Sequence, residues 1–499
     1  MNLYDYRKQL DAIDAEILRL FEERMDVVRE IGKWKKENGV PVLDAGREAA
    51  KLDTLAAQGP DAFEEEVREL FSKIMELSRR AQEKIVDAPE QGRKKCGLLG
   101  EKLGHSYSPQ IHALLGDYEY RLYEKDPEDV VSFVRNGKWH GLNVTIPYKK
   151  TVIPFCDELS ETAAAIGAVN TLLRRPDGSI FGDNTDAYGF RYMLSKTGFD
   201  PKGKKALVCG TGGASATVCA VLKSLGADVV TLSRSGPDNY GNLYRHRDAA
   251  LLVNTTPLGM YPNNGEQAVD LKDLPKLEAV LDVVYNPART ALLLQAEALG
   301  LPHAGGLSML VAQAKRASEI FQGCSIDDSE SDRITERLTG EMQNVILIGM
   351  PGSGKSTVGQ KLAEKMNRPY AEADEEIEKQ AGMPIPEIFQ QEGEEGFRKR
   401  ETEVLRELGK RSGTVLSTGG GCVTREENYP LLHQNGVIVL ITRDADSLAR
   451  EGRPLSQGAD LHEMEAVRGP LYRRFADFTV SNDGSADETV RAILEKLNR

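Results

Sequence analysis

Residues 345–357 read VILIGMPGSGKST. Four apolar residues make a strand, a glycine-rich turn follows, and VGQKLAEKM continues with helical periodicity. Gly349, Gly354, Lys355 and Ser356 fit the spacing G-x-x-x-x-G-K-[ST]. Glycines let backbone N–H groups approach phosphate, the lysine neutralises it, and the hydroxyl ligates Mg²⁺. Gly352, Ser353, Gly354, Lys355, Ser356 and Thr357 are therefore the expected nucleotide cradle, and the last part of the chain is expected to be an α/β P-loop domain.

A phosphate cradle does not name the acceptor, so the residues after it must. YAEAD ends a strand at Asp374, GEEGFRKRE presents Arg398, and VLSTGGG delivers Gly419, Gly420 and Gly421. A proton-accepting carboxylate, a guanidinium fork and bare backbone suit a small hydroxylated carboxylic acid. Further on, GRPLS and RGPLYRR offer Arg453 and Arg468 as charge stabilisers.

A second glycine turn lies upstream. GTGGAS, residues 210–215, follows the apolar LVC and opens a helical stretch, with Gly210, Gly212, Gly213 and Ala214 as expected dinucleotide contacts. The next apolar strand, DVVTL, ends in Ser233, Arg234 and Ser235, where an NAD enzyme places an acidic residue. A cation between hydroxyls suits a 2′-phosphate, hence NADP. Before this turn come HSYSP (Ser106, Ser108), GLNVTIPYK (Asn143, Thr145, Lys149), AVNT (Asn170) and GDNTD (Asp186). On a strand Asn143 and Thr145 share one face. Lys149 beside Asp186 can supply the proton that a reduced ketone needs.

The whole chain of 499 residues is long enough for several domains and carries a formal charge of -13. That charge disfavours nucleic acid and anionic membrane as partners and leaves small molecules. MNLYDYRKQLD is too polar for a signal sequence, and six cysteines without a CxxC pair imply reduced thiols, so a cytoplasmic location is expected. The fold expected is multidomain: an all-α domain over 1–88, an α/β dehydrogenase with a Rossmann-type part over 96–323, a polar linker over 324–341 and an α/β kinase over 342–499. Within the middle domain the substrate part covers about 96–200 and 290–323, and the NADP part about 203–289.

The last segment resembles shikimate kinases over its full length. The resemblance implies that Asp374, Arg398, Gly420 and Arg468 bind shikimate, that Asp374 assists the attacking hydroxyl, and that Lys355 and lid residue Arg453 stabilise the transferred phosphoryl of ATP. It also implies an adenine contact around Arg450 and puts Glu372, where the family usually has Asp, near the Mg²⁺ water shell. From Cys96 to about Gly323, with NTTPLGM, DVVYNP and GGLSMLVAQA, the chain resembles shikimate dehydrogenases. This implies that Ser106, Ser108, Asn143, Thr145, Lys149, Asn170, Asp186 and Gln313 surround 3-dehydroshikimate, with Lys149 and Asp186 catalytic and Tyr285 and Gly306 bordering the nicotinamide of NADPH. Quinate-active relatives share most of the pattern, so a quinate dehydrogenase is the competing reading.

The first segment is charged and helical. Arg24 and Lys35 stand close to three turns apart and share a face, whereas Arg7 sits roughly 40 Å from Lys35 along one straight helix. Arg7, Arg24, Lys35, Asp44, Arg47, Glu48, Ser78 and Gln82 reproduce the spacing of all-helical chorismate mutases. That resemblance implies chorismate as substrate and an interlocked homodimer in which one arginine crosses from the partner. A helical module serving only dimerisation or effector binding is the alternative.

Overall fold

A computed structural model describes residues 2–38, 40–58, 63–86, 93–104, 106–444 and 461–497. The chain divides into two compact units, Met1–Arg93 and Lys94–Arg499. The expected dehydrogenase and kinase thus share one unit.

The first unit is helical: α1 (Leu3–Asn38), α2 (Ala45–Gln58) and α3 (Glu64–Val86). Its buried Met75, Ser78 and Gln82 recur at helical spacing on α3, which packs against both other helices. Gly32 of α1 lets α3 come close, since a Cβ there would lie 3.3 Å from the Gln82 backbone. The apolar Leu10, Ile13, Ile17 and Leu20 of α1 remain exposed.

The second unit starts with a mixed six-stranded sheet: β1 (Lys95–Gly100), α4 (Ser108–Leu115), β2 (Glu119–Glu124), α5 (Pro127–Asn136), β3 (Gly141–Val144), β4 (Glu158–Leu159), α6 (Glu161–Ile166), β5 (Thr171–Arg174), β6 (Ile180–Asp183) and α7 (Asp186–Ser195). The strand order is β2-β1-β3-β5-β6-β4, with β5 antiparallel to β3 and β6. A second sheet follows from β7 (Lys205–Cys209), α8 (Gly213–Ser224), β8 (Asp228–Leu232), β9 (Leu251–Asn254), β10 (Ala279–Asp282), α9 (Ala291–Ala298) and β11 (His303–Gly305). It is parallel throughout, in the order β11-β10-β9-β7-β8, and its inner strands read as unbroken buried runs because helices cover both faces. The order reverses beside β7, so the crevice at the carboxyl end of β7 is where such a sheet takes its ligand.

Helix α10 (Gly306–Gln322) returns to the first sheet and packs against α7, and α11 (Ser329–Met342) lies against α10. Residues 324–341, expected as a linker, are therefore mostly helix. The reason is apolar spacing hidden among charges: Ile334, Leu338 and Met342 recur at i, i+4 and i+8 and are buried with Ile111, Leu115 and Val311. Buried Lys315 ties the helix start down through Asp328 at 2.7 Å. Only Gln343 separates α11 from the next strand.

The third sheet comprises β12 (Asn344–Ile348), α12 (Lys355–Met366), β13 (Tyr370–Glu372), α13 (Ala373–Ala381), α14 (Ile385–Leu408), β14 (Val415–Ser417), α15 (Asn428–His433), β15 (Gly436–Thr442), α16 (Leu461–Phe475), β16 (Phe478–Ser481) and α17 (Ala486–Leu497). Its order is β13-β14-β12-β15-β16, all parallel. Among the described residues no helix is long and apolar enough to cross a membrane.

Candidate active sites

At the carboxyl end of β12 the chain turns through Gly349, Gly352 and Gly354, with φ of 148°, 86° and 90°. A Cβ at Gly349 would stand 2.3 Å from the Ile441 carbonyl, so the turn needs glycine there for space as well as for angle. Lys355 is buried, and its ammonium donates to the carbonyls of Gly349 at 2.9 Å and Met350 at 3.0 Å. The buried Ser353 hydroxyl has no hydrogen-bond partner among the described residues. Ser356 donates to Glu372 Oε1 at 3.1 Å, and Tyr370 donates to the other Glu372 oxygen. An open turn at a helix start, a buried cation and a hydroxyl–carboxylate pair fit a nucleotide triphosphate with its metal.

Beside this turn lies a cavity of about 310 Å³, lined among others by Lys355, Glu372, Asp374, Arg398, Gly420 and Arg468. Strand β13 closes at Glu372, so Asp374 sits in the first turn of α13 rather than on a strand. The run ADEE carries the acidic first turn that favours a helix start. Arg398 is buried and pairs with the fully buried Glu401 at 2.8 Å. Burial pushes the Glu401 carboxyl up, against the pull of the Arg398 guanidinium. Arg468 and Tyr472 both donate to the Gly420 carbonyl, the former at 3.2 Å. A Cβ at Gly419 would meet Asp374 Oδ1 at 2.8 Å, and one at Gly420 would meet Pro351, so the glycine run is the close approach its sequence suggested. Arg450 and Arg453 lie outside the described residues.

Between the first and second sheets, Lys149 Nζ donates to Asp186 Oδ2 at 2.6 Å. Asn170 donates to the other Asp186 oxygen at 2.9 Å and to Gln313 Oε1 at 3.1 Å. Thr171 passes the network on, donating to Asn170 at 3.0 Å and accepting from Asn143 at 3.2 Å. Strand β3 ends at Val144, leaving Thr145 just beyond it, half buried, with its N–H donated to Leu99. Ser106 Oγ accepts from the backbone of Ser108, which begins α4. Buried polar groups held in one such network keep fixed orientations.

The crevice at β7 carries the second turn. Gly210 has φ of 109°, and Gly212 and Gly213 begin α8 with nothing within 4 Å of where a Cβ would stand. That helix start and the exposed Arg234 after β8 fit a pyrophosphate and a further phosphate. Ser233 accepts from Gly236 at 2.7 Å and shapes the loop that holds Arg234 and Ser235. Tyr285 packs edge-on against Tyr107, ring centres 6.1 Å apart, and Gly306 lies so near the Val283 carbonyl that a Cβ would come within 2.0 Å of it.

In the helical unit a cavity of about 270 Å³ is lined by Arg24, Lys35, Asp44, Arg47 and Glu48, with Ser78 and Gln82 on α3. Arg24 donates to Ser78, and Lys35 to the Val42 carbonyl at 2.6 Å. Burial holds Arg24 below the ordinary arginine value. Arg7 does not line this cavity: it stands exposed, roughly 25 Å from Arg24 along α1.

Sequence reading passed over several residues. Glu401 and Tyr472 fix Arg398 and Gly420, Tyr120 donates to Asn143 at 2.8 Å, and Arg79 pairs with Glu48. Only Glu401 carried a local signal, three residues after Arg398 on one helix.

These centres define a chain with a hydride-transfer cleft, a phosphoryl-transfer pocket and a cationic helical pocket. Residues 351–498 match the family model for shikimate kinase, 6–83 that for chorismate mutase type II and 98–172 that for the shikimate dehydrogenase substrate binding domain. Among similar proteins, the shikimate dehydrogenase (NADP(+)) of Clostridium perfringens strain SM101 is 40% identical over 267 residues, covering 49% of this chain and 98% of its own. The shikimate kinase of Neisseria meningitidis serogroup C is 43% identical over 164 residues, 31% of this chain and 96% of its own. A crystal structure of a chorismate mutase/shikimate 5-dehydrogenase fusion protein from Clostridium acetobutylicum is 38% identical, with a TM-score of 0.48, covering 50% of this chain and 97% of its own. The chain belongs to the shikimate dehydrogenase and shikimate kinase families and carries a chorismate mutase domain before them: it is a multifunctional enzyme of the shikimate pathway.

Proposed function

We propose that the second unit carries out two consecutive reactions, reduction of 3-dehydroshikimate to shikimate by NADPH and phosphorylation of the shikimate 3-hydroxyl by ATP, and that the helical unit converts chorismate to prephenate. The observation that carries the reading is the Lys149–Asp186 pair at 2.6 Å, anchored by Asn170 and Gln313, in the same compact unit as the phosphate cradle. NADPH supplies the hydride when bound. Lys149 delivers a proton to the developing alkoxide, Asp186 orients the ammonium, and Ser106, Ser108, Asn143 and Thr145 hold the substrate. Gly210, Gly212, Gly213 and Ala214 with Ser233, Arg234 and Ser235 hold the phosphates, and Tyr285 and Gly306 border the nicotinamide.

In the kinase, Arg398 and Arg468 hold the shikimate carboxylate, Gly420 gives the ring room, and Asp374 takes the proton of the attacking hydroxyl. Gly352 to Thr357 cradle ATP, Lys355 neutralises the transferred group, and Ser356, with Glu372 beside its water shell, would hold Mg²⁺, which would supply charge neutralisation to the phosphates. Arg450 and Arg453 are assigned to adenine and to the transferred phosphoryl by family likeness alone.

In the helical unit, Arg24, Lys35 and Arg47 bind carboxylates, while the Gln82 amide donates to the ether oxygen; electrostatic preorganisation is sufficient for a rearrangement without a nucleophile. The exposed apolar row on α1 supports a homodimer, in which the partner's copy of Arg7 completes the pocket. Six free thiols support a cytoplasmic setting. Replacing Arg24 by Ala should abolish chorismate turnover while leaving the sedimentation behaviour of the dimer unchanged. Retained turnover would mean that this domain binds or assembles without catalysing.

A further inference from the structure

The kinase touches the NADP lobe of the dehydrogenase with the end of its sheet opposite its own active site. Its phosphate cradle follows the carboxyl end of β12, and Glu372 and Thr418 stand at the carboxyl ends of β13 and β14. The segments that face the dehydrogenase, Gly409–Ser412 and His433–Gly436, precede β14 and begin β15, a strand length of roughly 15 Å away.

Contacts on the NADP side cluster just after Tyr285. The Arg289 backbone N–H donates to the Gln434 carbonyl at 2.8 Å, and its guanidinium donates to the carbonyls of His433 at 2.7 Å and Gly436 at 3.3 Å. Asn264 donates to Gln434 Oε1 at 2.6 Å, and Tyr261 to the Gly409 carbonyl at 3.1 Å. Tyr107 sits between Ser106 and Ser108 and meets the Tyr285 ring across the cleft. Behind Tyr285 is a cavity of about 340 Å³ whose wall joins Tyr285 and Ser308 of the dehydrogenase to Asn435 of the kinase.

We propose that the kinase domain is a structural part of the dehydrogenase: through the His433–Gly436 segment on Arg289, four residues after Tyr285, it holds the Tyr107–Tyr285 contact that closes the nicotinamide end of the cleft. Arg289 is a positioning residue, acting through Tyr285. A cleft held in its closed arrangement binds its dinucleotide without first having to populate that arrangement, and releasing the hold lowers apparent affinity by the fraction of closed molecules lost. The proposal rests on the reading of Tyr285 as a neighbour of the nicotinamide.

The test uses the full chain and measures NADPH dissociation constants by fluorescence titration alongside kinase turnover. Arg289→Lys, which keeps one donor toward the kinase carbonyls, should weaken NADPH binding about two- to fivefold. Arg289→Ala should weaken it about tenfold. Shikimate kinase kcat should stay unchanged in both of them, which distinguishes loss of positioning from general unfolding. Unchanged NADPH affinity in Arg289→Ala would overturn the proposal. A Tyr285→Ala control separates the two levels: if it too binds NADPH normally, the nicotinamide reading itself is wrong, whereas weakened binding in that variant alone refutes only the clamp.

Discussion

At the scale of single residues, the dehydrogenase depends on a lysine whose surroundings fix where its charge points. Asp186 holds Lys149 on one oxygen and is itself held by Asn170 on the other, so the ammonium cannot turn away without breaking a buried network. Replacing Lys149 by Met removes the proton donor and leaves most of the stem. Reduction of 3-dehydroshikimate, followed by NADPH absorbance, should slow by about 10²- to 10⁴-fold while shikimate phosphorylation is unaffected. Arg398 makes a contrasting case: it is paired with Glu401 before any substrate arrives, so the substrate carboxylate must share the fork rather than find a bare cation. Arg398→Lys, which loses the planar fork but keeps the charge, should raise the KM for shikimate by at least tenfold with a smaller change in kcat.

At the scale of elements, the turns were legible because they demand particular residues. Gly349, Gly352 and Gly354 adopt left-handed or crowded backbone that only glycine supplies, and the sequence spells them at fixed spacing. Gly306 is a quieter instance, set at the start of α10 with the Val283 carbonyl in the place of a side chain. Gly306→Ala forces that strand end aside, at a cost of about 1–3 kcal/mol, and should weaken NADPH binding together with lowering the melting temperature, read by calorimetry and dye fluorescence. What the sequence hid follows from the same physics. Helix α11 reads as a linker because acidic residues mask its three buried apolar positions, and Asp374 reads as a strand end because AEAD carries no periodicity of its own. Tyr120 and Arg79 reach their sites from other elements, which no local pattern records, whereas Glu401 stands one turn from Arg398 on the same helix.

At the scale of the whole second unit, the dehydrogenase and kinase meet at an ionic junction. Buried His433 of the kinase stacks on Tyr429 and stands between Glu297 of the dehydrogenase, 3.3 Å from Nε2, and Asp477, 3.6 Å from Nδ1, with Arg289 nearby. Burial and Arg289 oppose its protonation, but the two carboxylates prevail and hold its pKa above the ordinary histidine value. A folded-state pKa above the unfolded one stabilises fully below about pH 6.5, and that contribution disappears as pH rises through the raised value. The melting advantage of the natural chain over His433→Gln should therefore be greatest near pH 6 and shrink steadily toward pH 9; an advantage independent of pH would mean that the histidine does not titrate in this range.

The claim that two consecutive reactions share this unit is tested most directly by supplying the full chain with 3-dehydroshikimate, NADPH and Mg-ATP. NADPH loss would be followed optically and shikimate 3-phosphate by mass. The result predicted is phosphate ester whose formation requires both NADPH and ATP and stops when either is withheld. Shikimate accumulating without phosphorylation in the presence of Mg-ATP would contradict it, leaving a dehydrogenase joined to a domain that holds the cradle without performing the transfer.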